Sequence, residues 1–461
     1  MIKYSRVKRV HFCGIGGAGM SGIAEVLHNM GFVVSGSDIA EGAAVKRFLK
    51  MGIPVAIGHR AENLTDAETL VYSSAIREDN LEMVEARRRR IPVIPRAEML
   101  GELMRLKFSL AVAGTHGKTT TTSMIATILH FAGLDPTYVV GGRLKIEESG
   151  AKLGRSDYLI AEADESDGSF LRLFPTIAVI TNIEDDHLDH YGDMANLLEA
   201  FTAFGDRVPF YGSVVLNSDC VNCRRIHPEL NKRVHSFGFA ENAEVRARPR
   251  EESVFRTSFE LLLHGESRGE AVVNVGGRHN IMNALAAVAA CLEIGLDVEP
   301  ILNGLEKFYL PERRFQVLFH ADDYLVVDDY AHHPTEVQAT LDTLKKGDFR
   351  RIIAVFQPHR YTRLQLLLTG FAGAFTGVDE VVVAPLYAAG QDAIPGVGGQ
   401  ALAEEVVRVS GASARFLPDF SAIQTYLQEN IRPGDAVVFL SAGDLSRLAH
   451  DFAAHMEDIG A

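Results

Sequence analysis

The stretch Ala111-Val-Ala-Gly114-Thr115-His116-Gly117-Lys118-Thr119-Thr120-Thr-Thr122 constrains this chain more than any other. A short apolar run, 108–113, ends in Gly114, and a helix-like segment runs on to Phe131-Ala132-Gly133. A strand, a glycine loop and Lys-Thr opening a helix make a cradle for nucleotide triphosphate. Glycines let the backbone close on phosphate oxygens, and the helix N-terminus aims free N–H groups at the anion. Lys118 supplies a point charge, and the Thr119 hydroxyl is placed to sit on magnesium. The common pattern has a further glycine where this chain has Val112, so the loop is the shorter Gly114–Thr119. ATP is therefore the expected co-substrate.

Around that loop, short apolar runs alternate with helical patterns, which predicts α/β units with parallel sheets. Strands are expected at 7–12, 32–35, 71–73 and 91–94, with a helix over 20–30 that Gly31 stops. A second unit opens near Lys107, with buried strands at 158–161, 177–180 and 214–216, β-hairpin material over 241–275, and an alanine-rich helix over 280–294. A third opens near Arg313, with strands at 324–327, 352–356, 381–384 and 436–440. The expected domains are 1–106, 107–312 and 313–461: two Rossmann-like units flanking a P-loop-type ATPase sheet.

At 461 residues and 47% hydrophobic, the chain can bury several cores, and no apolar run approaches the ~18 residues of a membrane span. The basic start, MIKYSRVKRVHF, leads into a glycine loop and not a secretory core, so a cytoplasmic protein is expected. The net charge of −14 argues against general nucleic-acid binding, and any anionic substrate then needs a locally basic pocket. Of the four cysteines, Cys220-Val-Asn-Cys223 is a lone C-x-x-C with no second pair. Reduced, structural thiols are the expectation there, over zinc or redox work.

Several constellations carry chemistry. Gly14, Gly16 and Gly19 form G-x-G-x-x-G after a strand, with Gly17 inside it, and Asp38 follows at about the spacing of a ribose contact. The motif reports a diphosphate at a helix N-terminus, which a nicotinamide cofactor or a UDP group satisfies equally. Glu162-Ala-Asp164-Glu165-Ser166-Asp167 follows one strand, and its crowded carboxylates call for a cation. His187, in 181–190 after the next strand, is placed to hold a second magnesium or orient a phosphate. Gly277-Arg278-His279-Asn280-Ile-Met-Asn283 leads into a helix, where the amides can read adenine or Asn280 can be a plain N-cap. Asp328-Asp329-Tyr330-Ala331-His332-His333-Pro334 and Pro358-His359-Arg360-Tyr361-Thr362-Arg363 each follow a strand. If the latter segment is helical, Arg360 and Arg363 converge on one carboxylate. Arg313-Arg314 serves nucleotide phosphate or the surface.

In their order, HFCGIGGAGMSG, AGTHGKTTTT, EADESDGSFL, TNIEDDHLDHY, GGRHNIMNALAA, RRF, DDYAHHPTE and FQPHRYTR resemble the Mur ligases, and best the branch that adds L-alanine. The resemblance spans Val10 to about Gly443. It implies a UDP-sugar domain, an ATPase domain and an amino-acid domain. It implies catalysis by Lys118, Glu162 and His187, with Thr119, Glu162 and His187 as magnesium ligands. Gly114–Thr120, His279, Asn280, Asn283 and Arg314 would surround ATP. Gly14, Gly16, Gly17, Gly19, Asp38, His59, Ser73 and Ser74 would surround UDP-N-acetylmuramate. Tyr330, His359, Arg360 and Arg363 would hold L-alanine. The implied reaction joins L-alanine to the lactyl carboxylate through an acyl phosphate, as a monomer or weak homodimer with no nucleic-acid or membrane partner.

Two departures fall in the last domain: Gln391 stands where the family usually has Glu, and Ser441-Ala442-Gly443 where it more often has Gly-Ala-Gly. No lysine occurs between Lys152 and Lys232, so the carbamylated lysine of sister ligases has no counterpart, which fits the alanine-adding branch. A ligase recycling whole murein peptides shares this fold, and a nicotinamide-dependent dehydrogenase or a non-catalytic nucleotide-sugar sensor remains as a different class.

Overall fold

The computed structural model describes residues 7–73, 75–144, 149–321 and 324–458, so Ser74 and the first six residues of the basic start lie outside the described residues. Backbone contacts divide the chain into two compact units. One comprises Met1–Arg246, Leu262–Arg268 and Asn283–Phe308; the other comprises Ala247–Leu261, Gly269–Met282 and Tyr309–Ala461.

The first unit holds two sheets. Strands β1 (Arg9–Cys13), β2 (Val33–Asp38), β3 (Val55–Ile57), β4 (Thr69–Tyr72) and β5 (Val93–Pro95) form a parallel sheet in the order β3-β2-β1-β4-β5. The order reverses between β1 and β4, and ligands bind at such a switch point, beyond the carboxyl ends of the strands. The second sheet contains β6 (Phe108–Ala113), β7 (Thr137–Leu144), β8 (Ser149–Lys152), β9 (Tyr158–Glu162), β10 (Ile177–Ile180), β11 (Ser213–Asn217) and β12 (Arg233–Gly238). They run β12-β11-β10-β6-β9-β7-β8, and only the β7–β8 pair among these is antiparallel. Strand β6 therefore lies between β9 and β10, and the three loops after these strands open on one edge.

The expected strands at 158–161, 177–180 and 214–216 match β9, β10 and β11. Strands buried on both faces read as continuous apolar runs, which is why these were legible. The hairpin material expected over 241–275 is three strands, β13 (Val245–Glu252), β14 (Thr257–Leu263) and β15 (Glu266–Val273). The helix Lys118–Phe131 is threonine-rich yet buried from Thr119 to Leu129. It tolerates burial because Thr122, Ser123 and Thr127 each donate a hydroxyl hydrogen bond to the carbonyl four residues back.

The two sheets share one apolar cluster, to which Phe12, Ile15 and Ile23 contribute from the first and Ala111, Ala161 and Ile180 from the second. Helix Ala18–Asn29 packs there without a side chain at Gly22, where a Cβ would stand 2.9 Å from that of Ala151.

In the other unit, β16 (Gln316–Ala321), β17 (Tyr324–Asp329), β18 (Arg351–Phe356), β19 (Glu380–Val383), β20 (Ser413–Phe416) and β21 (Asp435–Leu440) form a sheet ordered β16-β17-β21-β18-β19-β20. Only β16 is antiparallel. Apolar clusters cover both faces, one around Phe356, Phe371 and Leu402, the other around Phe439, Phe452 and Ile423.

Candidate active site

The chain leaves β6 through Gly114 and turns at Gly117, whose φ of +82° is left-handed, to start the helix at Lys118. A Cβ on Gly117 would strike Oδ1 of Asn283, so Asn283 braces the loop from below. Asn283 is buried, and Thr121 Oγ1 donates to its Oδ1 at 3.4 Å. The loop is also laced to the end of β10. Thr115 N donates to Asn182 O at 3.0 Å, His116 N to Asn182 Oδ1 at 2.8 Å, and Glu184 N to Thr115 Oγ1 at 2.9 Å. His116 Nε2 lies 3.3 Å from Glu184 Oε2, and Thr120 is buried in the first helical turn.

Lys118 Nζ donates to Gly114 O at 2.6 Å and to Glu165 Oε1 at 2.8 Å. Burial works against its charge, but Glu165, Asp164 and Glu162 outweigh burial and hold the ammonium above its ordinary range. Burial pushes Glu165 up to about 7, with Lys118 opposing. Glu165 Oε2 is buried and accepts no hydrogen bond from the described residues. Thr119 Oγ1 donates to Glu162 Oε1 at 2.9 Å, and Gly141 N to Glu162 Oε2 at 2.9 Å. His187 takes φ +59° ahead of a short helix and sets Nε2 3.9 Å from Glu165 Oε1 and 3.5 Å from Asp186. Lys118, Thr119, Glu162 and His187 thus belong to one acidic cluster, tied together by Glu165, which bonds Lys118 and lies 3.9 Å from His187. The donors are all hard oxygens apart from one imidazole, a set suited to magnesium, and the unsatisfied Glu165 oxygen is a ready acceptor for its hydration shell.

In the first sheet, Gly14, Gly16, Gly17, Asp38, His59 and Ser73 line one cavity of about 560 Å3, a volume typical of small-molecule sites. Gly16 N donates to Asp38 Oδ2 at 2.8 Å, so Asp38 shapes the glycine loop directly. Gly19 sits in the first helical turn beneath Arg96, whose Cδ would lie 3.1 Å from a Cβ there, and Arg96 Nη2 reaches 3.8 Å from Asp164. Arg96 is the basic residue joining glycine loop and acidic loop; no motif marked it.

Beneath the cavity lies a second unmarked group. Glu82 is fully buried and accepts from Ser37 Oγ at 2.7 Å, Asn63 Nδ2 at 2.6 Å and, at 3.3 Å, His11 Nε2. Burial alone would raise its pKa, but hydrogen bonds from His11, Asn63 and Ser37 win and bring it to about 2. The Ser37 proton is committed to Glu82, so His59 Nδ1, 2.9 Å away, donates to Ser37.

The remaining candidates belong to the other unit. Asn280 is not an N-cap: it lies within helix Arg278–Glu293 and donates Nδ2 to Gly276 O at 2.7 Å, while His279 is exposed. The Arg314 guanidinium stands 5.1 Å over the Tyr330 ring, and that of Arg313 stands 4.8 Å over it. His359 stacks on Tyr387 at 5.5 Å, and Arg363 Nη1 lies 3.2 Å from His359 Nδ1. These residues lie at the carboxyl ends of β17, β18 and β19. The expected helical turn carrying both arginines is corrected. Arg360 caps the helix Tyr361–Ala374 with φ +67° and ψ 132°, so only Arg363 is helical. Among residues outside the candidate set, Asp329 accepts from Phe315 N, Ala331 N and Thr340 Oγ1 and so fixes the Tyr330 loop. The two departures have structural work: Gln391 bonds Thr362 through N and Oγ1, and Ser441 Oγ donates to Gln357 Oε1 at 2.7 Å.

Comparison with known proteins covers the chain. Residues 9–108 match the description Mur ligase family, catalytic domain; 112–291 match Mur ligase middle domain; 313–443 match Mur ligase, glutamate ligase domain. The chain is 46% identical over 454 residues to the UDP-N-acetylmuramate–L-alanine ligase of Syntrophotalea carbinolica, covering 98% of this chain and 99% of the relative. It is 47% identical to the protein of the same name from Myxococcus xanthus, covering 97% and 95%. The crystal structure of UDP-N-acetylmuramate-alanine ligase from Thermotoga maritima superposes with a TM-score of 0.82 at 29% identity, over 98% of this chain and 99% of that one.

Proposed function

The chain belongs to the Mur ligase family, and we propose that it is an ATP-dependent ligase joining L-alanine to the lactyl carboxylate of UDP-N-acetylmuramate, a step of peptidoglycan precursor synthesis. The carrying observation is the cluster of Lys118, Thr119 and Glu162 at adjoining strand ends. The similarity of the whole chain to alanine ligases supplies the substrates. The alternatives, a murein-peptide-recycling ligase and a dehydrogenase, are not favoured by those relatives.

In this reading the phosphates of ATP lie on the loop Gly114–Thr119. Lys118 exchanges Glu165 for phosphate oxygens, while Asn283 keeps the loop in shape. Thr119, Glu162 and His187 would hold magnesium, which when bound spreads the negative charge of the phosphoryl group. A lactyl carboxylate oxygen attacks the γ-phosphorus, ADP leaves, and an acyl phosphate forms. The neutral amine of L-alanine, its carboxylate held by Arg363 with Arg360, Tyr330 and His359 beside it, attacks the acyl carbon, and phosphate departs. The cavity at Gly14–Gly17, Asp38, His59 and Ser73 takes UDP-N-acetylmuramate, with Arg96 as a counter-charge near its diphosphate. From the resemblance to the Mur ligases, His279, Asn280 and Arg314 are proposed as further ATP-binding residues. The three family matches support domains of 1–106, 107–312 and 313–461 as the proposed functional division, within which Ala247–Leu261 and Gly269–Met282 cluster with the C-terminal unit. No helix among the described residues is long and apolar enough to cross a membrane, and we place the enzyme in the cytoplasm, as a monomer or weak homodimer.

Phosphate release measured with alanine, glycine, serine and a tripeptide tests the reading. Release that requires both UDP-N-acetylmuramate and L-alanine supports it. Release with the tripeptide alone would select the recycling ligase.

A further inference from the structure

The C-x-x-C pair has no part in the reaction above, yet its surroundings are specific. Cys220 immediately precedes the short helix Val221–Ile226 and is half-buried; Cys223 lies one turn on and is buried. The two cysteines stand three residues apart at the start of that helix. Cys220 Sγ also accepts the Ile183 N–H at 3.4 Å. Two neighbours grip the same segment: Asn217 Nδ2 donates to Thr181 O at 2.7 Å and Asn222 Nδ2 to Ile183 O at 2.9 Å. That segment is also the one that carries the phosphate loop. Thr181 Oγ1 donates to His116 O at 2.6 Å, and Asn182 accepts from both Thr115 N and His116 N. Ile183 is therefore held by a sulfur through its N–H, while the residue before it holds the loop at Thr115 and His116.

We propose that Cys220 and Cys223 form a reversible dithiol–disulfide pair, oxidised by hydroperoxides, whose oxidation loosens Thr181–Glu184 and with it the phosphate loop.

The hydrogen bond from Cys223 is the main cause that lowers the Cys220 thiol to about 6, with burial opposing, so Cys220 is largely thiolate at neutral pH. Burial raises Cys223, Cys13 and Cys291 far above the thiol range, which leaves Cys220 as the nucleophile. The Cys220 thiolate attacks one oxygen of the hydroperoxide; the O–O bond breaks, a sulfenic acid forms, and the other oxygen leaves as hydroxide or alkoxide and takes a solvent proton to become water or an alcohol. The Cys223 sulfur then attacks the sulfenic sulfur; an S–S bond forms, the S–O bond breaks, and the hydroxyl leaves as water with the Cys223 proton. The dithiol loses two electrons and the peroxide gains them. Three-residue spacing at a helix start is within the span of a disulfide. Once bonded, the Cys220 sulfur carries no charge for the Ile183 N–H, and its position is set by Cys223. The expectation of inert thiols is thereby revised for this pair and kept for Cys13 and Cys291.

The test treats the full-length protein with hydrogen peroxide at neutral pH, alkylates it after unfolding, and maps the cysteines by mass. The expected result is a disulfide between Cys220 and Cys223 with Cys13 and Cys291 still alkylated. The KM for ATP should rise at least threefold in the oxidised protein and return with dithiothreitol. Cys223→Ser should keep the reduced protein's KM and lose the reversible shift, whereas Cys220→Ser, which also lacks the charge facing Ile183 N–H, should have a raised KM that neither peroxide nor dithiothreitol changes. Free Cys220 and Cys223 after treatment, a disulfide with unchanged KM, or the same reversible shift in either variant overturns the proposal. The KM arm rests on the ATP reading above, whereas the mass arm does not. An untreated protein that shows no ATP dependence counts against that reading and leaves the disulfide to the mass map.

Discussion

Substituting Gly117 by Ala should damage the phosphate loop by a calculable amount. Gly117 has φ +82°, and a left-handed conformation costs an L-residue roughly 1–2 kcal/mol. The added Cβ also meets Asn283 Oδ1, so Asn283 must turn and give up its contact with Thr121 Oγ1, about 1 kcal/mol more. The sum is about 2–3 kcal/mol. For a sheet unit of this size that lowers the unfolding midpoint by roughly 4–12 °C. Circular dichroism suits the measurement, because the chain has no tryptophan. An ATP titration of the same protein should show a raised KM, because the loop N–H groups shift with Gly117. Adding Asn283→Ala separates the two causes: the collision is relieved, while the backbone cost stays. A Gly117→Ala protein with wild-type midpoint and wild-type KM for ATP would refute the account of this loop.

Lys118→Ala should lower turnover by several powers of ten while UDP-N-acetylmuramate binding, measured by calorimetry, stays near wild type, because the sugar nucleotide docks on the first sheet. Arg363→Ala should raise the KM for L-alanine by about ten- to a hundredfold, since a charge-assisted contact is worth roughly 1.5–3 kcal/mol. Arg360→Ala should have the smaller effect, because its backbone precedes the helix; titration of all three substrates checks both. Glu82 makes stability acid-sensitive. Its pKa of about 2 lies below the ordinary 4.5, so its contribution is present above pH 4.5 and lost as pH falls toward 2. The gap converts to ~3 kcal/mol. Urea unfolding compared at about pH 5 and about pH 3 should show about 2 kcal/mol of that loss in wild type and a smaller one in Glu82→Gln.

Local sequence signals located the strand-end loops well and the supporting groups poorly. The strands ending at Ala113, Glu162, Ile180, Asp329 and Phe356 announce themselves as apolar runs, and the loops after them carry the candidate residues. The antiparallel pieces β7, β8 and β16 were missed, because edge strands such as Gln316–Ala321 mix polar and apolar residues and their pairing is decided by distant partners. Glu82 and Arg96 were invisible for a related reason. Each lies in a helix with other charged residues, and only the fold shows that Glu82 is buried under His11, Ser37 and Asn63. Glu165 was read within an acidic run, but its place as the Lys118 counter-ion depends on β6 and β9 being neighbours. The helical pairing of Arg360 with Arg363 failed because a left-handed residue at 360 delays the helix, a backbone choice that residue identity did not signal.

The acyl phosphate is the most exposed part of the proposed reaction, and it can be read directly by isotope. UDP-N-acetylmuramate carrying oxygen-18 in its lactyl carboxylate is turned over with ATP, magnesium and L-alanine, and the released phosphate is weighed. Attack by the carboxylate on the γ-phosphorus predicts one labelled oxygen in each phosphate and an L-alanine amide on the sugar nucleotide. Unlabelled phosphate alongside that amide would contradict carboxylate activation at the Lys118 site.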